Sequence, residues 1–493
     1  MLTADRIRTL IEADKITDRK KQAEIGDKYY KGQHDILGKR IFFINADNEL
    51  QEDLTKSNIR KPHPFFMEMS DQLVQYLMSN EEGVIRSDIP ALQKELNARM
   101  NDNEDYQLHL REMLTGVVTK GFEYAYCYKN TDGRSVFECA DSLGVVEVRE
   151  EETDDHCAYV IYWMVDRVDA QGRTIKRIQV WDEHNVQFFV QVGDGEIELD
   201  ESEPINPRPH IVYKRNNGKQ NEKLYHSGGY GFIPFHRFEN NRWQLSDLNP
   251  IKPLIDNYDL MSCGLSNNIE DTNEALYVVS GFEGDNLDEL MMNIKAKKHI
   301  GVGENGKVEI QTIDIPVEAR KTMMEIDETN IYRFGMSLNL RALRDTSATT
   351  NVAIKSAYSL LDLKSEKLKP RLKSFMRWEI GIVLDEINQE NGTSYTQGDV
   401  YFAFKAEIPT NAKENAEIEL FNAQKRQFEV TTILNVAARF GDEQVTKMLC
   451  EQFELDYMEL KDKLPKEDET LITSEEAMSA IDAEPTVGVS GGE

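Results

Sequence analysis

One stretch of this chain has the spacing of a nucleotide-binding loop. Gly301-Val302-Gly303-Glu304-Asn305-Gly306-Lys307-Val308 satisfies both GxGxxG and GxxxxGK. A phosphate-binding loop needs a Ser or Thr after the lysine to hold Mg²⁺, and a helix whose N-terminus faces the phosphates. Val308 stands where that hydroxyl should be, and residues 308–313 alternate apolar and polar, the period of a strand. The spacing therefore predicts a hairpin over 299–313, turning at Asn305-Gly306, instead of a nucleotide site. Nine histidines occur singly, without HxH or HxxxH, which gives a metal site no support. GxSxG is absent, although the partners of a Ser/His/Asp or Cys/His centre meet only in space. The sequon Asn391-Gly392-Thr393 carries no meaning in a cytosolic chain. The expectation is a protein without catalytic residues, metal or cofactor.

Charge narrows the function further. With 58 Lys and Arg against 88 Asp and Glu, the net charge is −30, the wrong sign for gripping nucleic acid through counterion release. Such a chain either avoids nucleic acid or handles it without holding on. Residues 341–377 run against the trend, with nine bases and three acids. They read either as a solvated helix face that pairs with acidic neighbours, or as a site of weak, sequence-independent phosphate contact. Residues 451–493 carry 13 acids and three bases, and the end beyond about 465 reads as a mobile acidic tail. Five scattered cysteines without a CxxC pair suit a reducing compartment. No secretory leader and no run of about 18 apolar residues is found, so neither export nor a membrane span is expected.

At 493 residues, the chain is long enough for several domains. The periodicity predicts helix up to about residue 31, then helices over 65–78, 90–100 and 104–120. From 122 to 238, β-branched and aromatic runs broken by Asp-Gly and Asn-Gly turns predict an antiparallel meander. A helix over about 250–276 comes next, then a short strand over 277–280, a small helix over 286–296 and the hairpin above. A second long helix spans 316–340, with Val317, Met324, Ile331 and Leu338 at heptad spacing as a packing seam. After a polar loop at 341–351 comes a helix of about 40 residues that Pro370 should kink. A strand over 400–405 and three or four shorter helices over 411–464 complete the chain.

The order of these parts resembles one family. Tyr29-Tyr30-Lys31-Gly32-Gln33-His34-Asp35-Ile36 looks like the signature near the start of siphophage-type portal proteins of tailed double-stranded DNA bacteriophages. Asn58-Ile59-Arg60, Phe65-Phe66 and Val74-Gln75-Tyr76-Leu77 are similar to their next block. So are Gly231-Phe232-Ile233-Pro234-Phe235, Glu239-Asn240-Asn241, Ser246-Asp247-Leu248, the run 251–260 and Ser266-Asn267-Asn268-Ile269-Glu270-Asp271. The likeness runs in order over residues ~5 to 450, and is poor over much of 130–215 and beyond ~465.

The resemblance implies an α+β portal-protein fold closed into a ring, usually of twelve identical subunits. Residues 1–249 would form the wing, 250–276 and 316–340 a two-helix stem, and 277–315 an α/β clip. The tunnel loop would be 341–351, the long kinked helix and its return to the wing 352–410, the helical crown 411–464 and a flexible acidic tail 465–493. Such rings sit at the portal vertex of the virion capsid, after assembly in the host cytoplasm, and pass double-stranded DNA during packaging and ejection. The implied partners are other copies of the chain, non-specifically contacted DNA, the terminase large subunit, major capsid and scaffold proteins and a head-completion adaptor, with no membrane. Arg341, Arg344, Thr346, Ser347, Thr349, Thr350 and Asn351 would then meet DNA. The stem acids Asp256, Asp259, Glu270, Glu325 and Glu328 would repel it, and Asp285, Asp288, Glu289, Lys295, Lys297 and Lys298 would dock partners at the clip. Another phage head or connector protein without a DNA channel is the alternative, and an ATP-dependent enzyme using Gly301 to Lys307 the third reading.

Overall fold

The computed structural model describes residues 2–45, 48–54, 56–80, 83–149, 157–216, 223–272, 276–280, 307–311, 316–339, 351–404, 412–453 and 457. It divides into two units, Met1–Ala348 with Val352–Pro409, and Thr349–Asn351 with Thr410–Glu493.

The first unit opens with α1 (Ala4–Lys15) and α2 (Asp18–Tyr30). The helical run expected up to residue 31 is thus interrupted at Ile16-Thr17, where Thr17 is extended and starts the second helix. A small two-stranded hairpin, β1 (Phe42–Ile44) and β2 (Leu50–Glu52), precedes α3 (Phe65–Leu77). After β3 (Ile85–Arg86) come α4 (Pro90–Leu96), which starts on Pro90, and α5 (Glu104–Lys120). The Asn103 side chain accepts hydrogen bonds from the Asp105 and Tyr106 amides, capping α5. Gly121 ends it at φ +91°, with Gln244 O only 2.3 Å from where a Cβ would stand.

The aromatic region is all antiparallel, as its alternation predicts. β4 (Phe122–Lys129) lies between β5 (Ser135–Ala140) and β14 (Phe235–Glu239). A larger sheet runs β10 (Ile197–Leu199), β9 (Asn185–Val192), β8 (Thr174–Trp181), β7 (Tyr159–Val168), β6 (Val145–Val148), with β11 (Arg208–Pro209) also pairing β9. β12 (Ile211–Asn216) and β13 (Lys223–Gly228) form a separate hairpin. The two larger sheets share a core of Phe122, Tyr124, Tyr162, Trp181 and Phe188.

Next in the chain are two long helices, α6 (Lys252–Thr272) and α7 (Val317–Phe334), which pack together. Between them β15 (Leu276–Ser280) pairs antiparallel with β16 (Lys307–Gln311), from Leu276↔Gln311 to Ser280↔Lys307. The expected strand after Gly306 is therefore present, and its partner among the described residues is β15. The other arm of the expected hairpin and the small helix at 286–296 lie outside the described residues.

The heptad seam expected for the second long helix does not form. Gly335 and Met336, the latter at φ +55°, turn the chain, so Leu338 is buried beyond the helix end while Val317 is exposed. The buried residues of α7 are Asp327, Ile331 and Tyr332, one short patch instead of a seven-residue repeat.

α8 (Asn351–Asn391) is continuous over 41 residues and carries Pro370 on an exposed side. It buries Leu361, Leu368, Leu372, Phe375, Met376, Ile380, Val383, Leu384 and Ile387 against α3, α4 and α5, making the main core of the unit. β17 (Tyr401–Phe402) returns to pair with β3.

The second unit holds α9 (Ala412–Val436) and α10 (Asp442–Gln452), which pack on one another. One 25-residue helix replaces the first two or three short ones expected over 411–464. The reason is local: no Gly or Pro interrupts residues 412–440, and the first breaker is Gly441.

Candidate functional site

The residues of the Tyr29–Ile36 signature converge on α6. Gly32, at φ +72°, takes the chain off the end of α2 and lets His34 fold back under Tyr29, with the rings stacked at 4.5 Å. Tyr29 donates its hydroxyl to Asp256 in a short hydrogen bond. Lys252 Nζ sits 2.6 Å from Asp35 and 2.7 Å from Asp256, and 4.8 Å above the Tyr29 ring. Burial opposes the charge on Lys252, but Asp256 and Asp35 outweigh it and raise its pKa. The same ammonium, by its hydrogen bond first, holds the Asp35 carboxyl below its usual value. Tyr30 donates to Asp71 at 2.9 Å, and burial followed by that bond pushes its pKa up to about 12.

Asp259 lies at the centre of this arrangement, fully buried. His34 Nδ1 donates to its Oδ2 at 2.7 Å, and His63 donates to its Oδ1 through both Nδ1 at 2.7 Å and the backbone amide at 2.9 Å. Burial alone would raise the Asp259 pKa; the hydrogen bonds from His34 and His63 reverse the sign and lower it. The carboxylate is a structural anion tying three segments of chain together.

His63 is also the last link of a strap along α6. The backbone amides of Ser57, Ile59, Lys61 and His63 donate in turn to Asp271, Asn267, Cys263 and Asp259, at 2.9, 2.6, 3.1 and 2.9 Å. Alternate residues of an extended chain advance ~6.6–6.8 Å, while every fourth residue of a helix advances ~6.0 Å. The two periods nearly coincide, so four successive donors meet one row of helix side chains. On another face of α6, Asn257 donates to Asp327 of α7 at 2.6 Å. Gly264 there lets the Arg320 guanidinium approach to 2.4 Å from where a Cβ would stand.

The far end of α7 is secured by Tyr332, which donates to Glu68 at 2.9 Å, and by Gln72, which accepts from the Leu338 amide and the Ser337 hydroxyl. Lys364 of α8 donates to Gly335 O at 2.9 Å and pairs with Asp247 at 2.8 Å.

The acids singled out from sequence therefore divide. Asp256 and Asp259 are taken up inside the unit, Asp259 entirely, so Asp259 is not a surface charge. Glu270 and Glu325 are exposed and Glu328 is half-buried. Among the bases of 341–377, Lys364, Lys369 and Arg371 pair with Asp247, Glu366 and Glu239. Lys355, Lys367, Lys373 and Arg377 are exposed; Lys373 lies over the Phe404 ring and Arg377 over Phe402. Arg341, Arg344, Thr346, Ser347, Thr349 and Thr350 lie outside the described residues, as do Asp285, Asp288, Glu289, Lys295, Lys297 and Lys298; Asn351 begins α8. Lys307 opens a strand, not the helix a phosphate-binding loop requires.

Sequence reasoning did not find the His34–Asp259–His63 cluster. Its partners are separated by up to 225 residues; the HDI of the signature points at His34, Asp259 reads from sequence as a stem acid facing DNA, and nothing singles out His63.

Known proteins match over most of the chain. The profile of the family described as "Phage portal protein, SPP1 Gp6-like" matches residues 11–456. The portal protein of Bacillus phage SPP1 is 25% identical over 353 residues, spanning 71% of this chain and 67% of that protein. The portal protein of Clostridium phage phiCD119 is 24% identical over 385 residues, spanning 75% of this chain and 80% of that one. A mixed helical and antiparallel fold, a polar cluster built from the Tyr29–Ile36 signature and a profile match from α1 to the described end of the second unit agree: the chain belongs to the SPP1 Gp6-like family of phage portal proteins.

Proposed function

We propose that copies of this chain close into a ring at one vertex of a phage capsid, and that double-stranded DNA passes through its bore during packaging and ejection. The observation that carries this reading is the family match across residues 11–456. In it, α6 and α7 belong to the stem, 277–315 to the clip that docks the terminase and later the head-completion adaptor, 341–351 to the tunnel loop and 411–464 to the crown. The role is structural; the motor that hydrolyses ATP is a separate partner.

Electrostatics suits a conduit. Duplex DNA carries one negative charge per ~1.7 Å of axis, and a uniformly basic channel would hold it. A chain of net charge −30 repels it almost evenly, and each exposed acid is repeated around the ring. In the stem this falls to the exposed Glu270 and Glu325, with the half-buried Glu328 beside them, since Asp256 and Asp259 are committed to Tyr29, Lys252, His34 and His63. The short hydroxyl and amide side chains of 346–351, flanked by Arg341 and Arg344, would touch phosphates briefly without trapping them.

Negative-stain images of the purified protein test the reading. Closed rings with a central hole are expected; solitary particles at every concentration refute it, and solid assemblies without a hole favour a different head component. Arg344→Glu is expected to reduce DNA filling while heads still assemble. Normal filling would remove that residue from the tunnel loop's role.

A further inference from the structure

The ring reading leaves open which surfaces join one copy to the next, and two unlike apolar patches in the first unit stand out. The hairpin β1–β2 is a sheet of two strands only, which by itself is marginal in water. Successive side chains of a strand point to opposite faces, and Phe42, Phe43 and Ile44 are all exposed, so the ribbon is bare on both sides. Ile44 is 66% exposed, Leu50 71% and Leu54, just past the hairpin, 87%. Arg40 pairs with Glu52 at 2.9 Å across its base, and the strap at 57–63 fixes that base to α6.

The second patch is the outer side of α7. Ala319, Met323, Ile326 and Phe334 recur at spacings that place them on one helical face, and all four are exposed. This stripe borders the face holding Asp327, Ile331 and Tyr332, which is buried.

We propose that these patches are the two halves of one contact: the β1–β2 arm of each copy lies on the α7 stripe of the next. A closed ring of more than two subunits needs a head-to-tail interface, in which each chain offers one surface and receives on another. Two dissimilar apolar patches on one unit meet that requirement, whereas a single self-complementary patch would stop at a pair. Scaled by how far each side chain is exposed, at ~150–250 Å² for a whole large side chain, the arm and the stripe together expose ~800 Å² of apolar area. With the usual polar rim this amounts to ~1,400 Å² of buried interface, inside the ~1,200–2,000 Å² of stable specific contacts.

The test rests on the ring reading and separates its failure from that of the contact. Two full-length variants are made, Ile44→Asp with Leu50→Asp in the arm and Met323→Asp with Ile326→Asp in the stripe. All four positions are exposed, and circular dichroism with thermal unfolding checks that each variant folds; Leu54→Asp alone serves as a milder arm variant. Sedimentation is expected to give rings for the unsubstituted protein and at least a tenfold smaller assembled fraction for each variant. Mixing the two variants in equal amounts is expected to give one-to-one dimers and nothing larger, because one supplies an intact arm and the other an intact stripe. Variants that form rings as the unsubstituted protein does, or a mixture that stays monomeric, overturn the contact and leave the ring intact. An unsubstituted protein that never assembles overturns the ring itself.

Discussion

Replacing Asp259 tests whether the polar cluster on α6 holds the unit together. Its carboxylate accepts three hydrogen bonds, from His34 Nδ1, His63 Nδ1 and the His63 amide, and has no contact with solvent. Asp259→Ala leaves the buried His34 ring without its acceptor and frees the end of the strap. Charge-assisted hydrogen bonds contribute ~1.5–3 kcal/mol each, but three bonds to one group do not add. Breaking a buried pair by removing one partner costs ~3–5 kcal/mol, and that is the expected loss. Asp259→Asn should be milder, ~1–2 kcal/mol. Its Oδ1 can still accept from His63, while its amide can donate to His34 Nδ1 once that imidazole keeps its proton on Nε2, which faces Tyr29 O at 3.3 Å. The sign with pH comes from the lowered pKa of Asp259 in the folded chain. Its contribution is complete above the unfolded value near ~4 and fades as pH falls through the folded one. Urea unfolding of the two variants measures the difference, and amide exchange at Ser57, Ile59, Lys61 and His63 reports the strap directly. A cost below ~1 kcal/mol for Asp259→Ala, with strap exchange unchanged, would refute the assignment.

Packing gives two further outcomes. Gly26→Ala should lower the unfolding temperature of the first unit by several degrees, because its Cβ would stand 1.9 Å from Thr119 O, a backbone atom of α5 that cannot swing aside. His236, stacked 5.0 Å from Trp378, has its pKa lowered to about 4 by burial. The unfolded chain therefore binds that proton first, and stability drops between about pH 6.5 and 4, by at most roughly 3 kcal/mol. His236→Phe should flatten that part of the pH profile, as thermal unfolding across the range would reveal.

The local elements were largely legible. Runs such as 65–77 and 104–120 carry their own apolar period, and Pro90, Asn103 and Gly121 mark ends that the chain obeys. The antiparallel region was equally plain, because alternation and Asp-Gly turns are short-range signals. Two misreadings arose where a pattern was lengthened or cut without a breaker to justify it. The heptad read through Leu338 ran past Gly335 and Met336, and residues 412–436 were divided although nothing in them interrupts a helix. The cluster on α6 failed for another reason. Whether an aspartate faces solvent depends on what meets it, and the partners of Asp259 are His34 and His63, some two hundred residues upstream. Periodicity does not encode such distances, so Asp256 and Asp259 looked like exposed charge.

The strap along α6 places its amide donors at odd positions, 57, 59, 61 and 63. The even positions include Pro62 and Pro64, the two residues of the segment with no N–H to offer. Slid by one residue, the segment would present 58, 60, 62 and 64 to the helix, and the places now served by Lys61 and His63 would meet proline rings. Half the bonds would vanish, among them the one to the buried Asp259 carboxylate. The prolines act as a reading-frame key: they donate no bond in the correct alignment and forbid the neighbouring one.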